Sequence, residues 1–215
     1  MQLSARNPAI FSIRRELVYN LDATTISIMN EADVKKALYA SELAKLCQED
    51  PSTRIVEEFC ILGGKVRVDV SAINGLLHGY EIKSSADNLD RLPRQQNYYN
   101  QIFDKITIVA DEKHVVKAVK IVPPFWGLIA ACDGPNGVSL KEIWPARQNF
   151  EVDADALVQL LWRDEVLSAL RVNGIGRGLY KKSRKYLWKV MTSKLDLPTI
   201  KSTVRNCLKY RMDWR

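Results

Sequence analysis

The feature that most constrains this chain is the dipeptide Asn74-Gly75, which lies between the segments KVRVDVSAI and LLHGYEIKS. Both segments are rich in β-branched and aromatic residues, and Asn-Gly between such segments is the strongest short-range signal for a β-hairpin. The strands of this hairpin also carry Asp69, Glu81 and Lys83, where apolar residues would serve a core better. The sequence therefore predicts an antiparallel strand pair that carries polar chemistry.

The pattern around this hairpin predicts an α/β fold, with a mixed central sheet flanked by helices. Apolar residues recur at helical spacing in residues 31–47, 87–103 and 112–122. A further helix is expected at 50–62, because Asp50 is a natural N-cap and Pro51 suits the first helical position. Buried or paired strands are expected at residues 105–110, 125–132 and 138–144.

Composition bounds the class of protein. The chain has 215 residues, of which 47% are hydrophobic and 27% are charged, as in an ordinary globular protein. No apolar segment reaches the roughly 20 residues needed to cross a bilayer, and the N-terminal region lacks an apolar block of signal-peptide length. We therefore expect a cytoplasmic protein without a membrane partner. The four cysteines form no C-x-x-C pair, which argues against structural zinc.

The basic residues are concentrated at the C-terminal end. Residues 171–215 contain 13 Lys or Arg and two Asp, whereas residues 1–170 contain 19 basic and 23 acidic residues. From residue 153 onward the apolar spacing is helical only, so we predict a domain of residues 1–150 and a helical basic domain of residues 151–215. The asymmetry favours a polyanionic partner, although a solvated basic face is the alternative. The candidate nucleic-acid contacts are Lys181, Lys182, Arg184, Lys185 and Lys189.

The polar residues of the hairpin suit a magnesium site. Carboxylate and carbonyl oxygens are the ligands that Mg²⁺ prefers, and one or two protein carboxylates suffice. Asp69 and Glu81 are therefore candidate ligands. Lys83 lies two residues after Glu81, on the same face of the strand, where it can position or deprotonate an attacking water. A solvated hairpin face is the alternative interpretation of these three residues.

The order of these residues resembles the PD-(D/E)XK nuclease superfamily, which has the restriction-endonuclease-like fold. The resemblance rests on Val68-Asp69 followed by Glu81-Ile82-Lys83, on an acid before the hairpin and on Gln95 and Tyr99 after it. Within the superfamily, the chain is similar to a group of small bacterial proteins that are mostly uncharacterised. Val68 stands where the superfamily name has proline, a position that varies widely.

The resemblance implies a nuclease that hydrolyses phosphodiester bonds with Mg²⁺ or Mn²⁺, with DNA as the favoured substrate. Asp69, Glu81 and the Ile82 carbonyl would bind the metal ion, and Lys83 would act on water. Gln95 and Tyr99, which share one helix face at i, i+4 spacing, would contact metal-bound water or the scissile phosphate. An ordinary half-exposed helix stripe is the alternative for these two. The resemblance leaves open DNA against RNA, endonuclease against exonuclease action, and a homodimer for double-strand cutting. A non-catalytic nucleic-acid-binding module is the alternative function.

Glu57 and Glu58 are both candidates for the acid that the resemblance places on the helix before the hairpin. On a helical projection, Glu58 lies at the edge of the apolar arc formed by Ile55, Val56 and Phe59, and Glu57 lies nearly opposite. We therefore expect Glu58 to serve a second metal ion or to orient the ligands of the first.

Strand parity constrains how the hairpin pairs. With a regular two-residue turn, Asp69 would oppose Tyr80 and Glu81 would face the other side of the sheet, so the site could not assemble. A longer loop, or a bulge at Gly79, would place Asp69 beside Glu81. We predict one of these irregularities.

Overall fold

The structure is a computed structural model that describes residues 29–135, 137–212 and 214. The six strands are β1 (Arg54–Ile61), β2 (Val66–Ile73), β3 (Leu77–Lys83), β4 (Lys105–Asp111), β5 (Gly127–Gly134) and β6 (Gly137–Trp144). The first three helices are α1, which is α-helical over Glu31–Leu38 and Ala44–Glu49 with a π-helical turn at Tyr39–Leu43 between them, α2 (Leu92–Tyr99) and α3 (Glu112–Ile121). The later helices are α4 (Ala154–Leu157, followed by the 3-10 turn Val158–Leu160), α5 (Arg163–Val172), α6 (Arg184–Lys194) and α7 (Leu197–Tyr210).

The strands form one sheet in the order β1-β2-β3-β4-β5-β6. Antiparallel pairing joins β1, β2 and β3, parallel pairing joins β3, β4 and β5, and β6 is antiparallel to β5. The two parallel connections contain α2 and α3, because parallel neighbours need a crossover rather than a tight turn. The predicted α/β fold with a mixed sheet flanked by helices is confirmed.

Helices cover the two faces of the sheet unequally. On one face, α1 buries Val34 and Leu38 against Val70 and Ile82 of the sheet. The other face packs against α2, α3 and the helices that follow β6, in a larger cluster that extends from Phe59 to Leu208. The elements of the described chain beyond residue 153 are helices and their connections, as expected, and they bury apolar side chains in the same core as the sheet. The domain boundary near residue 150 stays a prediction.

Charged contacts also attach α7 to the sheet. Asp104, which precedes β4, is 3% exposed, and its two carboxylate oxygens lie 2.7 Å from Lys201 Nζ and 3.1 Å from Arg205 Nη1. At the C-terminal end of α7, Lys209 Nζ lies 3.2 Å from Asp50 Oδ2. Part of the positive charge of the C-terminal region is therefore neutralised by the body of the protein.

The helix predicted at residues 50–62 is wrong, since this segment contains β1. Asp50 does not cap a helix; its carboxylate accepts a hydrogen bond from Ser52 N, 2.9 Å away, in the turn that precedes the strand. Ile55, Val56 and Phe59 suit a pleated surface as well as a helix, and antiparallel pairing with β2 satisfies the backbone of the segment. Glu57 and Glu58 are consequently strand residues, and the helical projection used to separate them does not apply.

The hairpin closes with a longer loop rather than a bulge. Ile73 pairs with Leu77 and Val70 with Tyr80 in unbroken register, so three residues form the loop. Its backbone is held by Asn74 N donating to the Leu76 carbonyl, at 3.1 Å. Gly79 lies in the regular ladder, and a Cβ atom there would meet the Phe103 ring at 3.1 Å, so the glycine makes room for an aromatic side chain.

No helix in the part of the chain that the structure describes is long and apolar enough to cross a membrane.

Candidate active site

Glu58 on β1 and Asp69 on β2 lie at an irregularity in the pairing of these two strands. At this point alternate residues of a strand stop pointing to the same face of the sheet. The ladder pairs Glu57 with Val70 and Phe59 with Val68, but it omits the Glu58–Asp69 pair between them. Val68 packs in the larger core and Val70 in the core under α1, although alternate residues of a regular strand share a face. Glu58 has a φ of +52°, a left-handed conformation that is costly for a residue with a side chain. The kink directs both acidic side chains away from regular strand packing.

Three carboxylates converge at this kink. One carboxylate oxygen from each of Glu31, Glu58 and Asp69 lies within 4.8 Å of the others. Glu31 is the first residue of α1, whose N-cap Asn30 accepts a hydrogen bond from Asp33 N at 3.0 Å. The three hard oxygen donors form a group of the kind that Mg²⁺ or Mn²⁺ selects.

Sequence reasoning missed Glu31. The resemblance called for an acid on the helix before the hairpin, and the error at residues 50–62 assigned that role to Glu57 or Glu58. The signal that could have identified Glu31 is its position at the start of a well-predicted helix, directly after an Asn N-cap. Of the two predicted acids, Glu58 joins the cluster and Glu57 does not.

Two cations compensate the acidic cluster. Lys35 Nζ lies 3.5 Å from both Glu31 Oε1 and Glu58 Oε1, and it also contacts Glu57 at 3.2 Å. Burial alone lowers the pKa of Lys35, but the hydrogen bond and charge of Glu57, with the charges of the other two acids, outweigh burial and raise it. Arg67 Nε lies 2.5 Å from Glu58 Oε2. The cluster therefore attracts positive charge.

Asp69 connects this open cluster to the hairpin interior. Its Oδ2 accepts a hydrogen bond from the backbone N–H of Ile82 at 2.6 Å. Burial and the nearby charge of Glu81 raise the pKa of Asp69 to about 8, although the Ile82 N–H and Lys83 act in the opposite direction. The ionised form of Asp69 is therefore disfavoured in this environment, and a bound cation would stabilise it.

Glu81 lies inside a set of hydrogen-bond donors. It is 1% exposed. Its Oε1 accepts from Lys83 Nζ and Gln95 Nε2, both at 2.6 Å, and its Oε2 accepts from the Tyr99 hydroxyl at 2.5 Å. Burial, followed by the negative charge of Glu81, raises the pKa of Tyr99 far above its ordinary value, so the hydroxyl remains a donor. The structure thus brings together four of the predicted site residues.

The predicted roles of these residues stay predictions, but their placement is definite. Lys83 is directed at Glu81, and its side chain is 11% exposed. Gln95 bridges two groups, because its Nε2 also lies 3.3 Å from the Tyr99 hydroxyl. Ile82 contributes its N–H to Asp69, while its side chain packs in the core under α1.

The five predicted nucleic-acid contacts lie on one exposed stretch of the C-terminal region. All five side chains are exposed; Lys181 and Lys182 precede α6, and Arg184, Lys185 and Lys189 lie on it. Aromatic rings accompany the cations, with Lys182 Nζ 5.1 Å from the Tyr186 ring centroid and the Arg184 guanidinium 4.8 Å from that of Trp188. Cations beside aromatic rings suit single-stranded nucleic acid.

Comparisons with known proteins place the chain in a phage protein family. A family model described as bacteriophage P4 protein cII matches residues 25–214. Protein cII of Enterobacteria phage P4 is 27% identical over 184 residues, which cover 86% of this chain and 68% of that protein. A solved structure, the SPO1766 protein of unknown function from Silicibacter pomeroyi, is 19% identical and covers 54% of this chain and 70% of its own, with a TM-score of 0.39. The family match extends over most of the chain, which therefore belongs to the bacteriophage P4 protein cII family.

Proposed function

We propose that this chain is a metal-dependent nuclease with a restriction-endonuclease-like catalytic body, and that its substrate is DNA. The observation that carries the proposal is the convergence of residues that are separated in sequence. Lys83, Gln95 and Tyr99 donate hydrogen bonds to Glu81, and Asp69 lies close enough for its charge to interact with that of Glu81. A buried acid and base beside an open carboxylate cluster suit phosphodiester hydrolysis, and this arrangement is not expected of a solvated hairpin face, which is the alternative interpretation.

The residues present fit a divalent metal ion. Asp69, Glu31 and Glu58 offer converging carboxylate oxygens, and Glu81 lies next to Asp69 on the neighbouring strand. Burial and the nearby negative charge of Glu81, which raise the pKa of Asp69, are also the conditions under which a bound cation stabilises its ionised form. When bound, Mg²⁺ or Mn²⁺ would supply a polarised phosphate and a water of lowered pKa.

The protein side chains divide the remaining work. Lys83, once its ammonium turns from Glu81 towards the reaction centre, would position the attacking water and offset the charge that develops on the phosphate. Tyr99 and Gln95 hold Glu81 through hydrogen bonds, to its oxygens and to each other, and would keep its orientation while Lys83 moves. Lys35 and Arg67 would limit the repulsion between the acids and an approaching backbone.

The proposal is tested by incubating the protein with single-stranded DNA, duplex DNA and RNA, with and without Mg²⁺ or Mn²⁺. We expect metal-dependent cleavage that Lys83→Met and Asp69→Asn each reduce at least about 100-fold, with little loss of nucleic-acid affinity, because both residues act mainly in the transition state. Matched controls at exposed positions, Lys45→Met and Asp164→Asn, should cleave normally. Undiminished cleavage by the two site variants would refute the assignment.

A second candidate function is a non-catalytic nucleic-acid-binding module that keeps the fold. It is favoured by one specific observation, since Lys83, Gln95 and Tyr99 already satisfy both oxygens of Glu81 and give this acid a purely structural explanation. Binding without cleavage by the wild-type protein, on every nucleic acid and with either metal, would select this alternative. A homodimer is proposed only for double-strand cutting, and analytical ultracentrifugation with and without duplex DNA tests it.

A further inference from the structure

A groove of about 320 Å³ lies between β1 and its turn into β2 on one side and the C-terminal helices on the other. We call it the tryptophan groove, and its lining includes Glu58, Gly64, Arg184, Trp188 and Trp214. Glu58 lines the groove and also belongs to the carboxylate cluster. The groove is therefore continuous with the candidate active site.

Flat aromatic and cationic groups form the helical wall of the groove. Trp188 is half-buried, and the exposed Arg184 guanidinium lies 4.8 Å from its ring centroid. Trp214, which follows α7, is also half-buried and makes an edge contact with Phe59, another lining residue, at 5.7 Å between ring centroids. Aromatic faces and guanidinium planes are the surfaces on which unpaired bases stack.

The opposite wall is formed by β1 and its turn into β2, and the turn contributes two glycines. Gly63 and Gly64 have φ values of +69° and +84°, and a Cβ atom built at either would meet nothing within 4 Å. These left-handed positions in the β1–β2 turn need no side chain and leave the groove open to solvent. A ligand can therefore approach the backbone closely without displacing a side chain.

The charge along the groove changes sign. The lining includes the acidic Glu58, whose carboxylate cluster a metal ion would neutralise, and the basic Arg184, which precedes the exposed Lys185 and Lys189 on α6. The basic residues attract the backbone of a polyanion. Near Glu58 that backbone meets favourable charge only where it reaches the bound metal ion. This pattern suits a nucleic-acid strand rather than an apolar peptide.

We propose that the tryptophan groove is a subsite for an unpaired nucleotide of single-stranded nucleic acid, with its base against Trp188 and Arg184 and its backbone leading to Glu58 and Asp69. The inference rests on the proposed nuclease function and specifies its substrate class. A volume of about 320 Å³ is at the lower end of the range for small-ligand pockets, so it admits a nucleotide and cannot enclose a duplex.

The test compares two adjacent, exposed basic residues of α6, of which only one lines the groove. Arg184 lines the groove and Lys185 does not, so Arg184→Glu and Lys185→Glu make the same change in charge with different access to the groove. The probes are a fluorescent oligothymidylate of about 12 nucleotides, within the site sizes of single-strand-binding folds, and a blunt-ended DNA duplex. Anisotropy titrations with Mg²⁺ present, in proteins that also carry Lys83→Met to suppress cleavage, measure binding.

We expect Arg184→Glu to weaken binding of the single strand about tenfold more than Lys185→Glu does, while the two variants weaken duplex binding equally. Trp188→Ala should weaken single-strand binding roughly five- to 100-fold, and Trp188→Phe should restore most of the affinity, since the ring still stacks. Equal losses from Arg184→Glu and Lys185→Glu on the single strand would overturn the inference. If a thermal melt shows that Trp188→Ala does not fold, the comparison of Arg184→Glu with Lys185→Glu still tests the inference.

The cleavage assay separates this inference from the proposed function. Metal-dependent cleavage with no difference between Arg184→Glu and Lys185→Glu would overturn the groove subsite and leave the nuclease standing. Groove-dependent binding of the single strand, without cleavage by the wild-type protein, would overturn the nuclease and support the subsite in a binding protein.

Discussion

Glu58 combines an unfavourable backbone conformation with a place in the carboxylate cluster. Its φ of +52° costs roughly 1 kcal/mol relative to a right-handed or extended residue. The same conformation occurs at Leu62, in the turn that leaves β1. Backbone strain tends to occur at functional sites, so the conformation of Glu58 agrees with the proposed role of the carboxylate cluster.

This strain gives a prediction about stability against function. Glu58→Gly removes the left-handed penalty, so the free energy of unfolding should change by less than about 0.5 kcal/mol despite the entropy cost of glycine. Mn²⁺ affinity, measured by titration calorimetry, should fall at least fivefold because one carboxylate is removed. Glu57→Gly is the matched control: it should destabilise the fold by about 1 kcal/mol and keep Mn²⁺ affinity. Equal destabilisation by both variants would show that Glu58 is not strained.

His78 makes the stability of the fold depend on pH. Its ring nitrogens contact Thr107 Oγ1 at 2.8 Å and the Tyr80 hydroxyl at 3.2 Å, and burial, with a smaller contribution from Lys105, lowers its pKa to about 3. The unfolded chain has the ordinary pKa of about 6.5, so it binds the proton first and stability falls as pH drops below 6.5.

We expect the free energy of unfolding to fall by about 1 kcal/mol between pH 7 and pH 5 on account of His78. If the folded protein bound no proton at His78 in this range, the free energy of unfolding would fall by roughly 2 kcal/mol. We expect a smaller fall because the half-buried ring keeps some access to solvent. Denaturant titrations of the wild type and of His78→Gln at both pH values measure the difference. A pH dependence that persists unchanged in His78→Gln would assign it to other groups.

At the scale of elements, the order of helices and strands followed from the sequence except at β1. Periodicity correctly predicted α1, α2 and α3 and the helical character of the region beyond residue 153, where caps such as Asp153 for α4 and Asp196 for α7 begin the helices. It did not predict the break at residues 161–162 that separates α4 and its 3-10 turn from α5. Residues 50–62 carried signals for both states, and only pairing with β2 decided between them. The intrinsic preference of residues 50–62 for helix or strand contains no information about that pairing partner.

The attachment of α7 to the sheet depends on Asp104. Its carboxylate accepts the Leu77 N–H at 2.9 Å and pairs with Lys201 and Arg205, all around a group that is nearly inaccessible. Asp104→Ala leaves two half-buried cations without their partner, so the free energy of unfolding should fall by about 3–5 kcal/mol. Asp164→Ala, which removes the exposed partner of Arg163, should cost less than about 1 kcal/mol. Similar losses in both variants, measured by urea titration, would contradict this attachment.

At the scale of the whole molecule, the positive charge of the C-terminal region has two parts. Lys201, Arg205 and Lys209 are paired with acids of the body, and Arg211 lies 2.6 Å from Glu165. The residues around the start of α6 face solvent, as do Arg171, Arg177 and Lys194. Deleting residues 171–215 would also remove core residues such as Leu187 and Val204, so substitution is the sounder test of nucleic-acid binding.

Replacing the exposed group Lys181, Lys182, Arg184, Lys185 and Lys189 by alanine should leave the fold intact and weaken DNA binding. Each phosphate that the protein no longer neutralises reduces the slope of log K against log salt concentration by about 0.9, so three to five such phosphates should flatten the slope by roughly 3 to 4.5. Anisotropy titrations of duplex DNA over a range of salt concentrations measure this slope. An unchanged slope would assign the basic surface to another role.

The sequence by itself determined the α/β class, the hairpin, the helical C-terminal region and the set of polar residues Asp69, Glu81, Lys83, Gln95 and Tyr99 that the structure brings together. These follow from local signals: turn residues, apolar periodicity and the spacing of acids and bases. Only the tertiary structure decided that residues 50–62 contain a strand, that a three-residue loop sets the register, and that Glu31 joins Glu58 and Asp69. The reason is physical, since pairing partners and converging side chains come from distant parts of the chain, and their contribution to the free energy exists only once the chain has folded.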